Sequence, residues 1–137
     1  MNHSEPDRVK PAGEFARWEA EMWSILAPLK AALNSAFWVS TPEAALATSD
    51  QLRAIARDST KWQLNHHCLI PDLAVAFRRV LRSSVALADL LLEQSQNPNG
   101  VDWPAVNREV IGFHKLLEQF VAMMGDHSAR LPSDPGQ

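Results

Sequence analysis

The chain has 137 residues, 46% of them apolar, and a formal net charge of −3. That length suits one domain with one core, and the apolar share excludes a disordered chain. No run approaches the roughly 18 apolar residues that span a bilayer, the mildly acidic balance does not draw the protein toward nucleic acid, and a single cysteine, Cys68, excludes an internal disulfide. Met1 to Lys10 is polar and lacks the apolar segment of a secretory signal, so a cytoplasmic location is expected.

Residues 1–13 contain Pro6, Pro11 and Gly13 without an apolar period and read as a flexible N-terminal arm. Residues 14–127 read as a single helical-bundle domain, and residues 128–137, with Pro132, Pro135 and Gly136, as a flexible C-terminal tail. The first helix is predicted from about Glu14 to Trp38, on a stripe of Phe15, Trp18, Met22, Ile25, Leu29, Leu33 and Phe37. Pro28 lies inside it and predicts a kink or a split into two shorter helices. Thr41-Pro42-Glu43 then joins a capping hydroxyl, a proline at the first helical position and an early acid, which is a helix start. The second helix continues to about His67 on Leu52, Ile55, Ser59, Trp62, His66 and Leu69. Pro71 disfavours helix at Ile70 and sets the next boundary.

The third helix is predicted from Pro71 to about Gln94, before the turn signal Asn97-Pro98-Asn99-Gly100. Asp102 and Pro104 open the fourth, which carries Val106, Val110, Phe113, Leu117, Phe120 and Met124 to a stop at Gly125. Four helices with short connections predict an all-α, up-down-up-down four-helix bundle. Beyond its stripe of Leu73, Phe77, Val80, Leu87 and Leu91, the third helix carries Val75, Leu81, Val85, Leu90 and Leu92 on other faces. A helix apolar on several sides needs cover on several sides, which predicts a homodimer or larger homo-oligomer with Val75, Val85, Leu90 and Leu92 at the interface.

Between Asp50 and Arg82 six basic residues face three acids, so the segment carries +3 and leaves −6 for the rest. Arg53, Arg57 and Lys61 form one row at helical spacing and Arg78 and Arg82 another. Such rows suit solvent, acids on neighbouring helices, an acidic protein partner or a small anionic ligand. No aromatic residues interleave with them, which argues against single-stranded nucleic acid.

His66-His67-Cys68, followed by Asp72, combines ligand types that suit zinc and related transition metals. Adjacent ligands on one helix point about 100° apart, so they meet one ion only where the helix has ended. An up-down bundle would gather Asp126, His127 and Glu14 at the same end, making that end the place for a metal or acid–base site. His114, by contrast, should stand about 15 Å from His66 along the bundle axis, too far to share an ion.

His114 and Glu118 form an H-x-x-x-E pair one turn apart, close enough to share a proton or a metal. The pair resembles one element of hemerythrin-like bundles, which use several such pairs where this chain has one. Arg108 and His114 match R-x5-H, which resembles the R-x4–6-H motif of HEPN-type ribonucleases, α-helical proteins that often act as dimers. That resemblance implies that Arg108 and His114 act at the scissile phosphate of RNA across a dimer cleft. The acidic Glu109 after the arginine departs from the polar residue usual there. Glycine-rich phosphate loops, a G-x-S-x-G elbow, H-E-x-x-H and paired C-x-x-C are absent. Residue by residue, the sequence favours an oligomeric protein-interaction or ligand-binding module without a cofactor, with a metal-binding bundle and a ribonuclease as alternatives.

Overall fold

The computed structural model of the chain describes residues 4–66, 70–97, 99–100 and 102–130, with side chains described from Gly13 onward. Four helices follow one another: α1 (Ser4–Phe37), α2 (Pro42–Asn65), α3 (Pro71–Ser95) and α4 (Trp103–Arg130). They form the expected up-down-up-down bundle. α1 and α3 each pack against both α2 and α4, and among the described residues no Cα atoms of the diagonal pairs α1–α3 and α2–α4 come within 8 Å. The core therefore runs along the centre of a square of helices.

Local chemistry accounts for most helix ends. Thr41 is extended, and its hydroxyl accepts from the Ala44 amide at 3.1 Å, with Pro42 next. α3 starts at Pro71 without a side-chain cap. Its first free amides bond instead to the Ile70 carbonyl, from Leu73 at 3.1 Å and Ala74 at 3.2 Å. Gly100 closes the α3–α4 turn at φ +95°, a backbone state that L side chains rarely adopt. Asp102 caps α4 by accepting the Ala105 amide at 3.1 Å. The buried Gln94 side chain holds the turn itself, its Oε1 accepting the Asp102 amide at 2.6 Å.

Three boundaries differ from expectation. α1 is not split at Pro28 but continues to Phe37. Pro28 and Ser24, whose carbonyl loses its helical donor, are both exposed, so water can satisfy that carbonyl. α1 also begins at Ser4 rather than near Glu14, with Pro6 falling in its first turn, where the missing amide costs no helical bond. α4 passes Gly125 and runs to Arg130. Its last turns are held by tertiary contacts: His127 lies edge-on to Phe15 at 4.9 Å, and the Ser128 hydroxyl reaches Glu19 at 3.4 Å. Residues 131–137 of the expected tail lie outside the described residues.

The core is aliphatic and aromatic. Phe77 of α3 meets Phe120 of α4 at 5.4 Å between ring centroids, and Met22, Leu26 and Leu29 of α1 are fully buried, as are Leu52 of α2 and Leu73 of α3. All six residues of the α4 stripe are buried. Ser49 supplies a rare polar tie inside, donating at 2.7 Å to the Ala88 carbonyl and so joining α2 to α3. No helix among the described residues is long and apolar enough to cross a membrane.

Candidate functional site

The outer side of the α2–α3 pair holds an open groove of about 790 Å³. Leu64 on α2 and Val75, Leu81 and Val85 on α3 supply its apolar wall, and Arg78 and Arg82 of α3 complete it. No carboxylate lines it among the described residues. The groove is positioned by the same contacts that build the core. Leu81 points inward enough to be buried, whereas Val75 and Val85 sit on the flanks of α3 and stay 40% and 37% exposed. Leu64, at 81% exposed, stands off the α2 stripe near the helix end.

Two polar side chains of the lining bond within the helix pair. The Thr60 hydroxyl donates to the Ala56 carbonyl at 2.8 Å, and Gln63 Nε2 crosses the helix pair to the Ala74 carbonyl at 3.3 Å. What the groove offers a partner is therefore aliphatic surface and guanidinium charge. Neither Arg78 nor Arg82 has an ion pair or hydrogen bond among the described residues. The expected basic rows thus divide. Arg53 is tied down, with its guanidinium paired to Asp89 and its Nε 3.4 Å from Ser49 Oγ. Arg57 has only its neighbour Asp58 at 3.8 Å, both exposed, and Lys61 is exposed.

The four residues expected at an oligomer interface differ in their surroundings. Val75 and Val85 belong to the groove. Leu90 is partly buried against the core and Leu92 is half-buried. The sequence pattern does not single out Leu64, Thr60 or Gln63. The one signal for Leu64 is an apolar residue two positions off its stripe.

At the end of the bundle proposed for a metal, His66 and His127 do come to the same level, as the topology requires. They do not converge. His127 touches Phe15, Phe15 stacks on Trp18 at 5.7 Å, Trp18 approaches Trp62 at 6.0 Å, and Trp62 stacks on His66 at 4.8 Å. Three aromatic rings stand between the two imidazoles. His66 Nδ1 lies 2.9 Å from the Trp62 carbonyl, which can only accept, so Nδ1 carries the proton; Nε2 stands 3.6 Å from Glu21. Asp72 and Asp126 are exposed, and His67 and Cys68 lie outside the described residues. Among the described residues no three His, Cys, Asp or Glu side chains come together as a metal ion would need.

His114 and Glu118 are one turn apart, with Nε2 2.7 Å from the carboxylate. They edge a second groove, of about 490 Å³, between α1 and α4, where Lys30, Asn34 and Phe37 face them. Arg108 is exposed six residues earlier on α4. That offset turns it about 120° away from His114 and about 9 Å along the axis, so the two do not share a face within one chain. No family model, no curated protein and no solved structure matches the chain.

Proposed function

We propose that the protein is a protein-interaction module whose working surface is the α2–α3 groove, and that this groove receives an amphipathic helix of another polypeptide. The observation that carries this reading is an open trough between two antiparallel helices in which Leu64, Val75 and Val85 remain exposed while Thr60 and Gln63 each bond to a backbone carbonyl of the pair. A helix laid in such a trough buries its own apolar stripe and completes the cover that α3 lacks on that flank. The other clusters support less: the His66 end is filled by stacked rings, and His114 is half-buried and already paired with the exposed Glu118.

The test uses fluorescein-labelled 18-residue helical peptides that share one leucine stripe and differ only in flanking residues, Glu, Gln or Lys. Fluorescence anisotropy should show saturable binding of at least one peptide. Val75→Glu and Val85→Glu, both at exposed sites that leave far-ultraviolet circular dichroism unchanged, should abolish it. Binding of none of the three, or binding that both variants retain, overturns the reading.

A further inference from the structure

We propose, resting on the groove reading above, that the occupant is an acidic amphipathic helix of a different protein, with two carboxylates one turn apart along the edge that meets α3. From Leu73 to Ala88, α3 contains three arginines and no acid. Two of them, Arg78 and Arg82, stand in the groove wall at i,i+4, about 6 Å apart on one side of the helix. They have no partner among the described residues. Arg53 shows how α2 and α3 hold a cation that serves the fold, between Asp89 and Ser49. Arg78 and Arg82 are left for something outside the bundle.

Outside the lining, the α2 bank carries an exposed arginine beside an acid. Arg57 precedes Leu64 by two helical turns and so lies on the same side of α2, where the exposed Asp58 at 3.8 Å is its one pairing. A guest helix would therefore meet aliphatic side chains beneath and the guanidinium groups of Arg78 and Arg82 along its α3 edge. Along α3 the trough runs from Pro71 to Val85, about 21 Å at the rise of an α-helix, which fits a guest of about four turns. Guanidinium forks match carboxylates in pairs, and a guest with acids at i and i+4 repeats the spacing of the wall.

Charge also weighs against a dimer in which the groove of one copy covers the groove of another. A two-fold contact sets one groove against the other, and among the described residues the charges that the two linings bring together are all positive, which opposes that contact. Single-stranded nucleic acid is disfavoured by the lining itself, which among the described residues holds no aromatic side chain on which a base could stack.

The peptide set above tests this chemistry. At low ionic strength the Glu-flanked peptide should bind about tenfold tighter than the Gln-flanked one, and the Lys-flanked one weakest, as expected for two rim charge pairs. Raising sodium chloride to about 0.5 M should shrink the Glu–Gln difference to within about twofold. The double variant Arg78→Glu/Arg82→Glu should invert the ranking and favour the Lys-flanked peptide, while Arg78→Lys/Arg82→Lys should keep it. If the peptides bind without that ranking, or the double reversal leaves it unchanged, the acidic-helix proposal fails and the groove reading stands. If no peptide binds, both fall. Self-association in sedimentation velocity that Val85→Glu disrupts would make the occupant a second copy. Displacement of the peptide by an oligouridylate at low salt, lost in the double reversal, would make it a nucleic acid. Either result overturns the proposal.

Discussion

The Phe77–Phe120 pair offers the sharpest test of the bundle on which the groove depends. The rings are 1% and 0% exposed and tilt together at 38°. Truncating Phe120 to alanine should cost about 3–5 kcal/mol, the lost transfer energy plus the cavity left between α3 and α4. With a urea slope of about 1.5 kcal/mol per M, the unfolding midpoint falls by about 2–3 M. That loss alone reports burial, which other topologies could also supply. Proximity is tested by a double-mutant cycle with leucine, which keeps the double variant folded. Phe77→Leu and Phe120→Leu should each cost about 1–1.5 kcal/mol. Their combination should depart from additivity by about 0.5–1.5 kcal/mol, the worth of an aromatic pair beyond its area. Urea unfolding followed at 222 nm measures all four states. Additivity within about 0.3 kcal/mol, or a cost below about 1 kcal/mol for Phe120→Ala, would refute the packing of α3 on α4 through these two rings.

Ser49→Ala removes the buried bond to the Ala88 carbonyl and should cost about 1 kcal/mol in the same assay. Gln94→Ala frees the Asp102 amide from its side-chain acceptor, so amide exchange at Asp102 should accelerate, with a stability loss of about 0.5–1.5 kcal/mol. Arg108→Ala and His114→Ala, at exposed or half-exposed sites, should each change stability by no more than about 0.5 kcal/mol. Cleavage of single-stranded RNA by the native protein, lost in His114→Ala, would establish the ribonuclease resemblance instead of the groove reading. Mass spectrometry of protein purified without chelator should find no stoichiometric transition metal; about one zinc ion per chain, lost in His66→Ala, would place a site at the His66–Asp72 end.

The architecture was legible because the apolar period of α4 is unbroken and because Thr41-Pro42, Pro71 and Asn97 to Gly100 punctuate the chain at its turns. Each of these signals acts through neighbours in sequence. The misplaced ends depend on other things. A proline inside a helix is tolerable when the carbonyl it strands faces water, and only the structure shows that Pro28 and Ser24 are exposed. Gly125 fails to stop α4 because His127 and Ser128 dock on α1, a contact that spans more than a hundred residues of sequence. The imidazoles are a similar case. Topology brings His66 and His127 to one end, but Phe15, Trp18 and Trp62 fill the space between them.

The groove was only half legible. The surplus of apolar residues on the third helix and the positive charge between Asp50 and Arg82 are both visible in the chain, as separate facts. They fall on one surface because that segment makes up most of α2 and the first half of α3, the two helices that wall the groove. A solvated basic row and a recognition row have the same spacing in sequence. What separates them is the company each cation keeps after folding. Arg53 meets Asp89 across the helix pair and acts as a strut, whereas Arg78 and Arg82 project beside exposed valines with no acid in the lining. Apolar exposure alone would leave a face that any hydrophobic surface could cover. Under the acidic-helix proposal, cations without internal partners along that face would add a preference for a surface that brings carboxylates, which pair with the guanidinium groups where a neutral guest does not.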